Sequence, residues 1–286
     1  MTPMQPQVPE RIAFIGGGNM ARALIGGLIR QHVPAGHISV GEPDAALAEG
    51  LRREYGIRVD ADNERAAHGA QLVVLAVKPQ QASDALQTVR ASLSGARPLL
   101  LSIAAGLRIQ DIARSCPPGI AIVRAMPNRP ALVGAGVTGL YADPDVTRSQ
   151  RDYAELIGKA SGRSVWLHAE EHLDIVTALS GSGPAYFFLL AEEMARAAER
   201  LGLEHDTAQA LAAGTLYGAG LLAAENGTLA QQRVAVTSKG GTTEAALRVF
   251  EQGGLSRLVA DAIEAATARS VELAGALRTV SGATHS

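Results

Sequence analysis

Short apolar runs alternate with helical patterns through the first half of the chain. Ile12 to Ile15, Ile38 to Val40, Leu72 to Val77, Leu99 to Ile103 and Ile120 to Arg124 read as buried strands, with Val165 to Leu167 as an edge strand. Glycine and proline punctuate the intervals. This alternation predicts βα units feeding a mostly parallel sheet. From about Ala169 the strands stop. Phe187, Leu190, Ala191, Met194, Ala195, Ala198 and Leu201 fall at helical spacing on one face, and the remainder of the chain is predicted to be all helix. Between Asp206 and Gln232 the only charged residues are Asp206 and Glu225, so the helix around Ala210 to Ala224 is apolar on nearly every side. Such a helix needs cover all round, which predicts a second subunit packed on it in an obligate dimer.

Composition narrows the function. At 286 residues with 47% hydrophobic content, the chain has length for about two domains and apolar residues for a large core. A net charge of −2, without blocks of like charge and with few aromatics, argues against nucleic-acid and membrane surfaces as partners and leaves small molecules. The single cysteine, Cys116, excludes an intrachain disulfide framework and fits a reducing compartment. Met1 to Glu10 carries three prolines and neither a basic nor an apolar region, so it reads as a flexible leader rather than a signal peptide. No segment reads as a charge-free, glycine-poor run of membrane-spanning length. The expected location is cytoplasmic, which makes the glycosylation match at Asn226-Gly227-Thr228 accidental.

Ile12 to Ile15 runs straight into Gly16-Gly17-Gly18-Asn19-Met20-Ala21, a G-x-G-x-x-A turn ahead of a helix carrying Leu24, Ile25 and Leu28. Between strand and helix this is a dinucleotide fingerprint: Gly16 makes the turn, Gly18 admits the pyrophosphate to the backbone, and Ala21 lets the helix pack closely. The second strand ends near Glu42, placed either to accept from the adenosine ribose hydroxyls or to act as a solvated helix cap. Its charge repels a 2′-phosphate and leans toward NADH over NADPH, with Arg52 or Arg53 available to offset it. The expected architecture is therefore α/β: a leader over residues 1–10, a Rossmann-like NAD(P)-binding domain over 11–168, and an all-helical dimerisation and substrate domain over 169–286.

A second glycine turn, Ser238-Lys239-Gly240-Gly241-Thr242-Thr243, opens a helix that continues with Glu244, Leu247 and Phe250. Amides gathered at a helix start, with the helix dipole behind them and hydroxyls beside them, suit a small anion such as a carboxylate. An ordinary capped helix is the alternative reading of this stretch alone.

Three further segments bear on it, Ala76-Val77-Lys78-Pro79, Val123-Arg124-Ala125-Met126-Pro127-Asn128, and Ala178 to Tyr186 around Ser180-Gly181-Ser182-Gly183-Pro184, and they join Ser238 to Thr243 itself. Together they identify a resemblance to pyrroline-5-carboxylate reductase over essentially the whole chain. The resemblance implies reduction of the C=N bond of 1-pyrroline-5-carboxylate to L-proline by NADPH or NADH, in dimers that associate further, often as five. It implies that Asn63 contacts the adenosine ribose, that Ala76, Val77 and Lys78 line the cofactor's path, and that Ser102 to Gly106, with Ala104, supply small residues beside the nicotinamide. Asn128 belongs to the same cofactor set. Ser238 and the amides of Gly240, Gly241 and Thr242 resemble the family's clamp on the substrate carboxylate, and Thr243 its donor to the pyrroline nitrogen. A solvated lysine remains the alternative for Lys78. Ser180 to Pro184 is expected to turn into the long helix, with Ser182 as cap and Pro184 at its first position. Dimerisation could bring the Ser238–Thr243 turn of one subunit against the nicotinamide of the other.

Two positions depart from the family pattern. Lys239 stands where proline is common, and Arg129 follows Met-Pro-Asn in place of threonine. Arg129 could block the nicotinamide, bind a phosphate or point outward. His168-Ala169-Glu170-Glu171-His172 matches H-x-x-E-H, but no third ligand accompanies it and no metal is expected. The rival readings are a related imine or 2-oxo-acid reductase, which the Ser238–Thr243 turn opposes, and a non-catalytic nucleotide-binding protein, for which Arg129 is the one hint.

Overall fold

The computed structural model describes residues 8–225 and 227–283. Most of the expected leader, and Asn226 of the Asn-Gly-Thr sequence, lie outside them. The chain divides into two compact units, one reaching Gly181 and resuming at Ala266, the other Ser182–Ala265.

In the first unit, β1 (Ile12–Ile15), β2 (Ile38–Gly41), β3 (Arg58–Asp60), β4 (Leu72–Leu75), β5 (Leu99–Ser102), β6 (Ile122–Met126), β7 (Gly136–Ala142) and β8 (Gly162–Trp166) form one sheet. Its order is β3-β2-β1-β4-β5-β6-β7-β8, and the sheet is parallel except where β7 runs against β6. The chain moves outward from β1 to β3 and then crosses back to β4, so the carboxyl ends of β1 and β4 flank the switch point where such sheets hold ligands. Helices α1 (Asn19–Arg30), α2 (Ala45–Tyr55), α3 (Asn63–Ala67), α4 (Ala82–Thr88), α5 (Arg90–Ala96), α6 (Ile109–Arg114) and α7 (Arg148–Ala160) belong to this unit. Ile12 and Phe14 of β1 enter one core with Leu24 and Leu28 of α1 and Ile157 of α7; Ala13 and Ile15 enter the other with Leu86 and Leu93. Each fully buried Leu or Ile contributes roughly 1.5–3 kcal/mol, which explains why β1 has no polar face.

The expected α/β architecture is present, with differences at particular strands. An edge strand is present as expected, but β8 spans Gly162–Trp166 rather than Val165 to Leu167, and β3 and β7 were not foreseen. β3 spans only Arg58, Val59 and Asp60, too short for periodicity, and β7 is diluted by Gly136 and Gly139. Gly139 is a packing requirement: a Cβ there would lie 2.9 Å from Val176 Cγ1. β4 ends at Leu75 rather than Val77, and β6 runs Ile122–Met126 rather than starting at Ile120.

The rest is helical as expected: α8 (His172–Val176), α9 (Gly183–Arg200), α10 (His205–Ala224), α11 (Leu229–Ala235), α12 (Thr242–Gln252) and α13 (Leu255–Ala283). The expected entry into the long helix is present, with Ser182 at the cap position of α9 and Pro184 in its first turn, but a wide turn precedes it that was not expected. The chain winds through a wide π-turn over Thr177–Gly181, bends at Ser182 and enters α9, and Ser182 makes no side-chain capping bond. Pro184 has no N–H for the Ser180 carbonyl four residues back, and that carbonyl accepts instead from Asn128 Nδ2 at 3.0 Å. The continuous run His172–Arg200 is, by length and composition, long and apolar enough to cross a membrane, which corrects the expectation that no segment is. The surfaces of α9 and α10 are largely uncovered within the chain: Phe188 of α9 is 62% exposed, and Tyr217 of α10 is 69% exposed. Only Ala208 of α10 is buried, so the all-round apolar helix does lack cover from its own chain.

Candidate active site

The glycine turn sits at the switch point. Gly16 follows β1 at φ +98°, where a side chain would be strained and its Cβ would meet Ala76 O at 2.9 Å and Val77 Cγ1 at 3.0 Å. Gly16, Ala76 and Val77 are thus brought together, Gly16 N–H donating to Gly41 O at 2.9 Å and Ala76 N–H to Ile15 O at 2.8 Å. Gly18 caps α1 without a side-chain bond, and the space where its Cβ would stand is open. With Asn19 exposed and no acidic residue in its first turn, α1 presents unpartnered amides and the positive end of its dipole at the surface. This cradle fits a pyrophosphate.

Glu42 turns out to be a structural part of that cradle. It is 9% exposed, and one carboxylate oxygen accepts from Gly17 N at 2.8 Å while the other accepts from Asp44 N at 2.9 Å. Each oxygen keeps a further lone pair, so the group can still receive ribose hydroxyls. The helix-cap alternative falls to the neighbour: Asp44 caps α2, accepting from Ala46 N and Leu47 N. Arg52 donates to Val59 O at 2.8 Å. Asn63 opens α3 so close to Gly41 that a Cβ on that glycine would lie 2.2 Å from Asn63 Oδ1, and its Nδ2 donates to Thr88 Oγ1 at 3.0 Å. Asn63 therefore stands at the end of β2 beside Glu42.

Lys78 is exposed ahead of Pro79, in the first residues beyond β4. Ala104 is buried just past β5, its N–H donating to Ser102 Oγ at 3.3 Å. Asn128 is also buried, but its side chain is committed to the protein: Oδ1 accepts from Val137 N at 2.9 Å while Nδ2 holds Ser180 O. It joins β7 to the π-turn. Arg129 is exposed at the start of a 3-10 turn.

The Ser238–Thr243 turn lies in the second unit. Gly240 is left-handed at φ +72°, Gly241 caps α12 without a side-chain bond, and Thr243 is half-buried while Ser238 and Thr242 are exposed. Two of the amides expected to clamp a carboxylate are already engaged. Gly240 N–H donates to Glu244 Oε2 at 2.7 Å, and Gly241 N–H to Ser238 O at 3.0 Å. The amides left for a ligand are those of the first helical turn, Thr242 and Thr243, which have no intrahelical acceptor. Glu244 therefore fixes the turn in the manner of a capping-box glutamate, one residue early. It also lines an open cavity of ≈ 370 Å³ with Arg233, Thr237, Arg248 and Glu251.

A buried group of charges was missed. Arg124 of β6 donates to Glu170 Oε1 at 2.9 Å, and the same oxygen accepts from Ile109 N at 2.7 Å. Arg108 pairs with Asp174, whose other oxygen accepts from Ser270 Oγ at 2.8 Å. Burial lowers the pKa of the Arg124 guanidinium, and Glu170 opposes the shift. A lone arginine inside the apolar strand Ile122–Met126 was the available signal, because a buried charge requires a partner. Glu170, read within H-x-x-E-H, is that partner.

A glycine turn at the switch of a doubly wound sheet, with an acidic residue closing β2, defines an NAD(P)-dependent oxidoreductase. The family described as NADP oxidoreductase coenzyme F420-dependent matches residues 11–106, and pyrroline-5-carboxylate reductase dimerisation matches residues 170–273. A pyrroline-5-carboxylate reductase of Pseudomonas aeruginosa is 43% identical, over 92% of this chain and 97% of that one. The solved structure of a pyrroline-5-carboxylate reductase from Coxiella burnetii matches with a TM-score of 0.89 at 40% identity, over 92% of this chain and 98% of that one. That of Plasmodium falciparum pyrroline carboxylate reductase with NADP bound matches at 0.76 and 27% identity, over the same shares. The chain belongs to the pyrroline-5-carboxylate reductase family. The uncovered apolar helices fall in its dimerisation region, which accounts for their exposure within a single chain.

Proposed function

We propose that this chain reduces the C=N bond of 1-pyrroline-5-carboxylate to L-proline with NADPH or NADH, Thr243 serving as donor to the ring nitrogen. The observation that carries the assignment of roles is the start of α12, where the Thr242 and Thr243 amides are left open by a turn already secured through Glu244 and Ser238. A substrate carboxylate suits those amides and the positive helix end, with the Ser238 hydroxyl as a further donor.

When bound, the reduced nicotinamide supplies the hydride that adds to the imine carbon. As that carbon is reduced, the nitrogen gains electron density, and the Thr243 hydroxyl stabilises it by hydrogen bonding. A threonine hydroxyl is too weak an acid to protonate a free imine, so the proton enters with an iminium substrate or is relayed through Thr243 from water. Most of the rate enhancement is then positioning, with the clamp holding the substrate and the glycine turn holding the cofactor.

Gly16 to Met20, Glu42, Asn63, Ala76 to Lys78, Ala104 and Asn128 form the cofactor set in this reading. Asn128 contributes by holding the π-turn and β7 rather than through its side-chain amide, which is already engaged. The charge of Glu42 favours NADH, and Glu42→Ser is expected to improve NADPH use relative to NADH. The dimer, its association into larger assemblies and a cytoplasmic location with Cys116 as a free thiol belong to the same proposal. Oxidation of NADH and of NADPH followed with pyrroline-5-carboxylate tests it; absence of turnover with either, despite cofactor binding, refutes it.

A further inference from the structure

The segment that follows β5 carries the small residues Ala104, Ala105 and Gly106, and its two ends are held by different means. At the start, Ile103 N–H donates to Leu75 O at 3.1 Å and Ala104 N–H to Ser102 Oγ at 3.3 Å, so the sheet itself sets this end. The far end is held by charge. Arg108, which caps α6 without a side-chain capping bond, pairs with Asp174 of α8. Ile109, the first residue of α6, donates its amide to Glu170 Oε1 at 2.7 Å. That oxygen also takes Arg124 Nη1 at 2.9 Å, and Arg124 is the register partner of Ser102, the residue that launches the segment. The second oxygen of Asp174 accepts Ser270 Oγ of α13 at 2.8 Å.

Asp174 and Arg124 are deeply placed, with side-chain exposures of 5% and 6%, while their partners Arg108 and Glu170 are partly buried at 13% and 22%. Desolvation offsets much of the attraction in a buried ion pair, so net stability alone is a weak reason for two pairs side by side. What directional, charge-assisted bonds provide is a fixed geometry. Here that geometry is the far anchor of a segment whose middle turns through Gly106 at φ +78° and is lined with small side chains, at the carboxyl edge of β5 where a doubly wound sheet receives its ligand.

We propose that Glu170 and Asp174 are positioning residues for hydride transfer: they fix Arg108 and the Ile109 amide, and thereby set where Ala104 to Gly106 meet the nicotinamide. Ser270 extends the same control to the C-terminal helix by orienting the Asp174 carboxylate. This rests on the reading of Ala104 as a cofactor-lining residue.

The full-length variants Glu170→Gln, Asp174→Asn, Ser270→Ala, Arg108→Lys and Arg108→Gln test it. Cofactor affinity is read by NADH and NADPH fluorescence titration without substrate, kcat and both KM values by steady-state assay, and Tm by thermal melting. Displacement of a reacting group by about 1 Å costs up to on the order of 100-fold, and a released anchor allows a smaller shift, so Asp174→Asn and Glu170→Gln should weaken cofactor binding or lower kcat about tenfold. The KM for pyrroline-5-carboxylate should stay within about twofold, because the substrate clamp is untouched. Ser270→Ala removes a single hydroxyl and keeps the fold, and should move cofactor affinity in the same direction by about two- to threefold. Arg108→Lys retains the charge and should lie closer to wild type than Arg108→Gln. Lowered Tm with unchanged cofactor affinity and kcat across the set overturns the proposal, as does an equal rise in both KM values. A wild-type chain that binds cofactor yet leaves pyrroline-5-carboxylate unreduced overturns the functional assignment instead, since the titrations need no substrate.

Discussion

Glu42→Gln separates a carboxylate that binds ribose from one that builds the site. Gly17 N–H and Asp44 N–H each take their own oxygen, at 2.8 and 2.9 Å, and Gly17 is buried. Glutamine fills the same volume but has one oxygen and one NH₂, so one of the two amides must face a donor. Losing a hydrogen bond to a charged acceptor costs about 1.5–3 kcal/mol. At about 2–4 °C per kcal/mol for a domain of roughly this size, the melting temperature should fall by about 3–12 °C. Because the released amide belongs to the glycine turn, NADH affinity should fall with it. Scanning calorimetry with an NADH fluorescence titration on the same preparation reads both quantities. An unchanged Tm with weakened NADH would confine Glu42 to the ribose; unchanged values of both would refute its role as a brace of the turn.

Gly27→Ala tests the packing of α1, which carries the glycine turn at its start. The added Cβ would lie 1.8 Å from Ala160 O and 2.6 Å from its carbonyl carbon, so α1 and the end of α7 must separate, at a cost beyond the about 1–3 kcal/mol of ordinary overpacking. A Tm within about 2 °C of wild type would contradict that close approach. Cys116 supplies a pH dependence. Burial pushes its thiol up from 9.0 to about 11. In that window the folded chain keeps a proton that the unfolded chain releases, so stability falls as pH rises from about 9 to about 11 and then levels. Cys116→Ala should flatten the decline of Tm between about pH 9 and pH 10.5, and parallel slopes in the two proteins would refute it.

The legible parts of the fold are those decided by neighbouring residues. Ile12 to Ile15 is buried on both faces and leads directly into Gly16 at φ +98°, so β1, the turn and α1 could be read from one stretch. The same holds for Ser238 to Thr243, whose glycines announce a helix start. Which amides stay open was not legible, because that depends on Glu244 and Ser238 reaching back into the turn. Distance in sequence hid the rest. β7 contains Gly139 because Val176 presses on it, and no local pattern carries that demand. Proline in Ser180–Pro184 signalled the start of α9 but not the π-turn ahead of it, whose Ser180 carbonyl Asn128 satisfies where Pro184 cannot. Arg124 and Glu170 lie on elements far apart in the chain and explain each other only when folded.

The most direct test of the account is kcat for Thr243→Ala with pyrroline-5-carboxylate and saturating cofactor. Removing a donor aimed at developing charge lowers kcat by roughly 100-fold in comparable sites, and the account predicts a loss of that order while cofactor affinity stays unchanged. A kcat near the wild-type value would contradict it.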